Sequence, residues 1–434
     1  MNDVLASSTH PGDLTAAATG HPRRSTTHPR PSATRLAVLL GALTAIGPLT
    51  IDMYLPALPT IARHFVASDS AAQATLTGSL LGLAFGQLLV GPLADSFGRR
   101  APLIAGMLLH VLASVFCALV PNIELLTVAR TLQGVGASAG AVVALAIIRD
   151  RYTGMAAAKL MSRLMLVTGV APVLAPTVGS FMLRVTSWNG LFVVLAVAGG
   201  VLASLSAFVV PETHPPHRRQ RAGIGHTFRT YGSLILERQF IGLCLTAGLA
   251  MTVILGYVSG SSFVLQQQYG LSSAVFGLVF AANSIGLISA SQLNPLLLRR
   301  FSAAQILIGS LVACAVSAAV MVVLTASGTM GIWGLLIPLF FTIATAGLAL
   351  PNVPALALAR HGARAGTAAA LLGACQFGIG AMLSPLVGIG GTVTAAGMAV
   401  VVFAAALLGS LVLIVFARPL TIEVADDPGV MVMH

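Results

Sequence analysis

The stretch Gly91-Pro92-Leu93-Ala94-Asp95-Ser96-Phe97-Gly98-Arg99-Arg100 joins two apolar runs, 73–94 and 102–120. Each run is long enough to cross a bilayer as a helix, for which about 20 apolar residues suffice. An acid at a helix C-terminus opposes the helix dipole, so Asp95 needs a cation or a facing helix N-terminus. Gly98 permits the tight turn, and Arg99 and Arg100 anchor one membrane face. Two spans joined by so short a charged loop imply a chain that crosses the bilayer repeatedly.

Composition agrees. Of 434 residues, 56% are hydrophobic and only 8% are charged, against about 25% charged in soluble domains. Working outward from the loop, the spans read 36–59, 73–94, 102–120, 122–148, 161–184, 188–210, 240–262, 276–298, 304–326, 332–359, 367–389 and 392–417. The expected fold is all-α and polytopic, with about twelve transmembrane helices in two pseudo-symmetric six-helix bundles. Residues 36–210 form the first bundle and 240–417 the second, joined by a cytoplasmic loop at 211–239. The halves look related: Leu93, Arg99 and Arg100 recur as Leu293, Arg299 and Arg300, and Pro176 and Gly179 as Pro385 and Gly388. Repeats with a site at their interface are a common transporter design.

The formal charge of +11 is a topology signal rather than a mark of nucleic-acid binding. With both termini in the cytoplasm, twenty of the 23 Lys and Arg fall on the inner side, as the positive-inside rule requires. Residues 1–35 are polar and rich in Ser, Thr, Pro and His, and read as a disordered cytoplasmic tail; 418–434 read as a second. The four cysteines lie inside spans without metal-ligand spacing and read as small core residues. No metal site and no cofactor is expected. A glycine-rich phosphate cradle and a Ser/His/Asp set are also missing, which argues against an enzyme.

The chemistry concentrates in the first bundle. Gly47-Pro48-Leu49-Thr50-Ile51-Asp52-Met53-Tyr54-Leu55-Pro56-Ala57-Leu58-Pro59 holds a carboxylate where charge costs roughly 2.5–3.5 kcal/mol. Pro56 has no N–H for the carbonyl of Asp52. Backbone freed at membrane depth is tolerated only against protein or a wet cavity, so Asp52 is expected to face one. Asp52 lies about 10 Å and Arg130 about 12 Å below the outer surface, at 1.5 Å per residue. Such deep ionisable residues usually pair or line a pathway. The expectation is that Asp52 carries the transported proton and Arg130 tunes its pKa by proximity, with Gln133 on the same face. Tyr54, Tyr257, Asn283, Asn352 and Gln376 are the polar candidates for a mostly apolar substrate cavity, each also able to serve as an interhelical bond. His110, alone in the third span, reads as a packing residue. Gly78, Gly82 and Gly86 allow another helix to approach closely.

The decapeptide at Gly91–Arg100 resembles the loop between the second and third helices of the major facilitator superfamily. Further stretches resemble its drug:proton antiporters of the bicyclomycin/chloramphenicol-resistance (Bcr/CflA) type. These are the Asp52 stretch; Arg130-Thr131-Leu132-Gln133-Gly134 with Arg149-Asp150-Arg151-Tyr152; and Gly256 to Gln266. The fifth span resembles the antiporter motif in Gly169, Pro172, Pro176 and Gly179, with Ala171, Ala175 and Ser180 where glycines are usual. Asn189 and Ser262 depart from the family's Arg and Pro. The resemblance implies a monomeric carrier in the bacterial inner membrane. It would export small amphipathic drugs in exchange for protons, with the proton gradient as its energy source. An exporter of an endogenous sugar, amino acid or siderophore is the alternative. By resemblance, Asp95, Gly98, Arg99 and Arg100 form a conformational latch. Asp95 would contact the start of the eleventh span at Gly366 and Thr367, and an Arg ending the fourth, in the outward-open state.

Overall fold

The computed structural model describes residues 33–152, 154–215, 224–361 and 364–421. The tails expected to be disordered lie almost wholly outside the described residues. Among the described residues there is no β-strand.

Helix α1 (Ala33–Asp52) is followed by a 3-10 turn, Leu55–Ala57, and the short α2 (Leu58–His64). Then come α3 (Asp69–Phe97), α4 (Arg100–Leu119), α5 (Ile123–Arg151), α6 (Gly154–Met182) and α7 (Trp188–Val209). After α8 (Ile224–Ile235) follow α9 (Arg238–Phe263), α10 (Ser273–Leu297), α11 (Ala303–Ser327), α12 (Trp333–Leu358), α13 (Ala365–Leu383) and α14 (Ala395–Val412). Side chains close the helix starts: Ser68 accepts from Ala71 N at 3.2 Å, Asn122 from Leu125 N at 2.9 Å, and Ser302 forms a capping box with Gln305. Gly98 and Gly328 take the positive φ of 90° and 66° that follow α3 and α11.

Eleven helical stretches of the described chain are long and apolar enough to cross a membrane. The remaining expected span, 161–184, falls on α6, whose apolar part is Val170–Met182. Two expectations need correction. The first span is not one helix over 36–59: it breaks after Asp52 and runs on to His64. The connection 211–239 is not simply a loop, because it carries α8. Tyr231 and Leu234 of α8 are buried against residues of α9 and α13 at the arginine-rich end.

The outer walls are apolar and exposed, as with Leu112, Phe116 and Leu119 of α4 and Val193, Val197 and Val201 of α7. Lipid is the solvent for such surfaces. The span built on α9 is 83% buried and that on α5 67%, against 28% for α10 and 33% for α4. So α5 and α9 are central, and Arg130, Gln133, Thr252 and Ser259 on them are buried.

The glycine stripe of α3 packs on α5. A Cβ on Gly82 would run into the carbonyl of Thr131, and one on Gly134 into the carbonyl of Ser79. The backbones are therefore in contact, the geometry that small residues permit in membranes. Gly134→Val should lower stability by about 1–3 kcal/mol, because overpacking forces backbone shifts. Thermal unfolding in detergent checks this; an unchanged midpoint would show that α3 and α5 have room to spare.

The halves meet along α3 with α13 and α6 with α10. At the arginine-poor end they are stitched by hydrogen bonds. Ser70 Oγ donates to Gly388 O (2.7 Å), Ser180 Oγ to Ser273 O (2.9 Å), Gln73 Nε2 to Ser259 O (3.3 Å) and Ser262 Oγ to Leu55 O (2.7 Å). That mouth is closed.

Candidate functional site

Pro56 explains the break. Without its N–H the α-helical ladder cannot continue past Asp52, and α1 stops there. The carbonyls beyond the break find partners in the other half. Leu55 O accepts from Ser262 Oγ, and Pro56 O from Gln266 Nε2 at 3.4 Å. Ser262 stands where the family usually has Pro, and here its hydroxyl closes a bond between halves. From the opposite side Gly179 of α6 packs on the break, since a Cβ there would collide with the Met53 carbonyl. Pro176 is buried and Pro172 half-buried on the same helix, while the surroundings of Gly169 lie outside the described residues.

Asp52 is 7% exposed. Among the described residues its carboxyl has no ion pair and no hydrogen bond. It lies within electrostatic range of the Tyr257 phenol. Tyr257 is buried, stacks on Phe280 at 5.3 Å between centroids, and accepts a hydrogen bond from Asn283 Nδ2 at 3.2 Å. Three expected residues, Asp52, Tyr257 and Asn283, thus come together from α1, α9 and α10.

Arg130 does not pair with Asp52, contrary to the simplest reading of their equal depth. Its Nη1 donates to Thr50 O (2.9 Å) and to Gln133 Oε1 (2.6 Å). Its guanidinium lies over the Tyr54 ring at 4.4 Å and near that of Phe192 at 5.6 Å. Cation–π attraction in a desolvated site is worth about 2 kcal/mol or more, so the two rings do part of what a counter-ion would. Among the described residues Nε and Nη2 have no hydrogen-bond partner. Gln133 Nε2 donates onward to Ser114 Oγ at 2.7 Å, and Ser114 Oγ to His110 O at 2.6 Å.

Two cavity candidates take the alternative of an interhelical bond. Tyr54 is fully buried under Arg130, its hydroxyl bonded to that of Thr75. Asn352 donates to Asn294 Oδ1 at 2.7 Å, a bond between α12 and α10 away from Asp52. Both serve as interhelical glue. Gln376 is half-buried on α13. A groove of about 260 Å³ between α11 and α14, walled by Val312, Val316, Phe403 and Leu407, touches none of the five candidates. Neither does a pocket of about 70 Å³ at Glu237, Arg360 and His361.

At the arginine-rich end Asp95 pairs with Arg99, which also donates through Nε to Asp150 Oδ2 at 2.8 Å. Partial burial would lower the Arg99 pKa, but bonds to both carboxylates outweigh it and raise the value. The acid that needed a cation finds it one turn along, not on α13. It is Arg149 that comes near Gly366, its Nη1 3.6 Å from where a Cβ would stand. Glu212, missed in the sequence, accepts from Arg99 N (2.8 Å) and Arg100 N (3.3 Å) and so caps α4. Its position just after the sixth apolar run was the available signal.

Comparison with known proteins agrees with this architecture. The Major Facilitator Superfamily profile matches residues 40–385. The chain is 42% identical over 383 residues to the uncharacterized MFS-type transporter YdgK of Bacillus subtilis, covering 87% of this chain and 94% of that one. It is 31% identical to a bicyclomycin resistance protein homolog of Haemophilus influenzae, covering 80% and 87%. It is also 31% identical to the multidrug resistance protein MdtL of Escherichia coli, covering 87% and 94%. In fold it is similar to a D-xylose-proton symporter, with a TM-score of 0.70 at 17% identity, covering 90% of this chain and 98% of that one. The broken first helix, the Asp95–Arg100 loop and these matches together make the chain a multi-pass carrier of the major facilitator superfamily, of the bicyclomycin-resistance type.

Proposed function

We propose that this carrier exports small amphipathic compounds, antibiotics among them, in exchange for protons. The observation that carries the reading is Asp52: a buried carboxyl without an ion pair among the described residues, at a helix break where the two halves meet. A site that leaves the charge uncompensated favours binding a proton, and movement of the halves can change which side supplies it. Tyr257, Asn283 and Gln376 are the polar groups offered to substrate. The names of the relatives, bicyclomycin and multidrug resistance, support the substrate class.

The closed arginine-poor mouth fits an inward-facing or occluded stage of alternating access. Asp95 turned to Arg99 rather than to Gly366 and Thr367 fits the same stage, the latch being made in the outward-open state. The protein acts as a monomer in the bacterial inner membrane with both termini cytoplasmic, driven by the proton gradient without a cofactor.

A susceptibility panel in an efflux-deficient host tests the reading. Expression should raise resistance to a subset of amphipathic drugs, and a protonophore should remove the difference. A panel with no shift for any compound would favour export of an endogenous metabolite, and a shift indifferent to pH would favour facilitated diffusion.

A further inference from the structure

The buried network beside the α1 break contains a titratable ring that the proposed mechanism does not use. His110 of α4 is fully buried, and its Nε2 lies 2.9 Å from Thr50 Oγ1. The Thr50 hydroxyl already donates to Ile46 O at 2.6 Å. Its proton is therefore committed, which assigns the Nε2–H tautomer: His110 donates and Thr50 accepts. Nδ1 has no partner. It sits against Gly199 of α7, where a Cβ would stand 2.8 Å away, so α7 offers the ring space and no polar group. The charged group acting on the ring is Arg130 of α5. A second proton, at Nδ1, would have no acceptor and would face that cation. The ring thus makes one hydrogen bond, as donor to Thr50.

Thr50 is held twice. Its hydroxyl receives His110 from α4, and its carbonyl receives Arg130 from α5. Both bonds fall two residues before Asp52, on the last turn of α1. On the proposed role of Asp52, we infer that His110 is a positioning residue: through Thr50 it sets where α1 ends, and so where the proton-carrying carboxyl stands.

The test uses the full-length protein in proteoliposomes, reading gradient-driven transport, its pH dependence and thermal stability. A lost hydrogen bond of ordinary net strength corresponds to about a fivefold effect. His110→Leu should slow transport by at least that factor and shift the pH of half-maximal rate. His110→Gln, whose amide NH₂ can reach the place of Nε2, should restore both. Thr50→Val, which removes the acceptor and keeps the backbone carbonyl, should reproduce His110→Leu and decides the matter if the leucine variant does not fold. A wild-type rate and pH profile in Thr50→Val overturns the inference. So does a His110→Gln variant no better than His110→Leu, since the ring then merely fills space. Asp52→Asn run alongside separates the two claims: if it still transports against a gradient, the reading of Asp52 fails whatever His110 does.

Discussion

Asp52→Asn is expected to abolish proton-driven accumulation while leaving the protein folded and in the membrane. The substitution keeps the shape of the side chain and removes the carboxyl at the break that exchanges the proton. Asp52 makes no ion pair or hydrogen bond among the described residues, so no structural contact is lost. Removing a charge from a buried site also lifts a desolvation penalty. The energetics set the size of the effect. One proton moving down a gradient of one pH unit is worth about 1.4 kcal/mol, enough for about a tenfold concentration ratio. Wild-type proteoliposomes should approach that ratio per coupled proton, which is its thermodynamic ceiling, and the Asn variant should stop at unity. Asp52→Glu, which keeps the proton but moves it by a methylene, should retain coupling at a lower rate. Accumulation by the Asn variant at the wild-type level would end the role assigned to Asp52.

Arg130 should fail differently. Its guanidinium serves acceptors on two helices and two aromatic faces. In Arg130→Met the Thr50 carbonyl and the Gln133 side chain lose their donor inside the bundle, at about 1–3 kcal/mol for each unsatisfied group. Expression and thermal midpoint should both fall. Arg130→Lys keeps the charge but neither the planar stacking nor the donor fork. It should fold and transport at least about tenfold more slowly, a loss of about 1.4 kcal/mol, comparable to the cation–π contribution. The comparison distinguishes the two residues: Asp52→Asn uncouples a stable protein, whereas Arg130→Met destabilises it. A stable, fully folded Arg130→Met variant would show that the aromatic box and Gln133 carry the site without the cation.

Much of this protein is set by local chemistry. Spans follow from runs of apolar residues, because a backbone in lipid can satisfy itself only as helix. The break after Asp52 follows from the missing N–H of Pro56, and the approach of α3 to α5 from glycines four residues apart. Glu212 escaped notice because capping α4 requires residues over a hundred positions apart to meet. Equal depth on two helices fixes height but not azimuth. The sequence therefore put Asp52 and Arg130 at one level without saying that Arg130 turns to Tyr54 and Phe192 while Asp52 lies within electrostatic range of Tyr257. Nor did His110 read as more than packing, since its meaning depends on Thr50 standing opposite. Composition and periodicity determined the membrane-spanning fold and which side chains are costly to bury. Only the tertiary structure decided the partner of each, because partners are chosen by helix rotation and by contacts between the two halves.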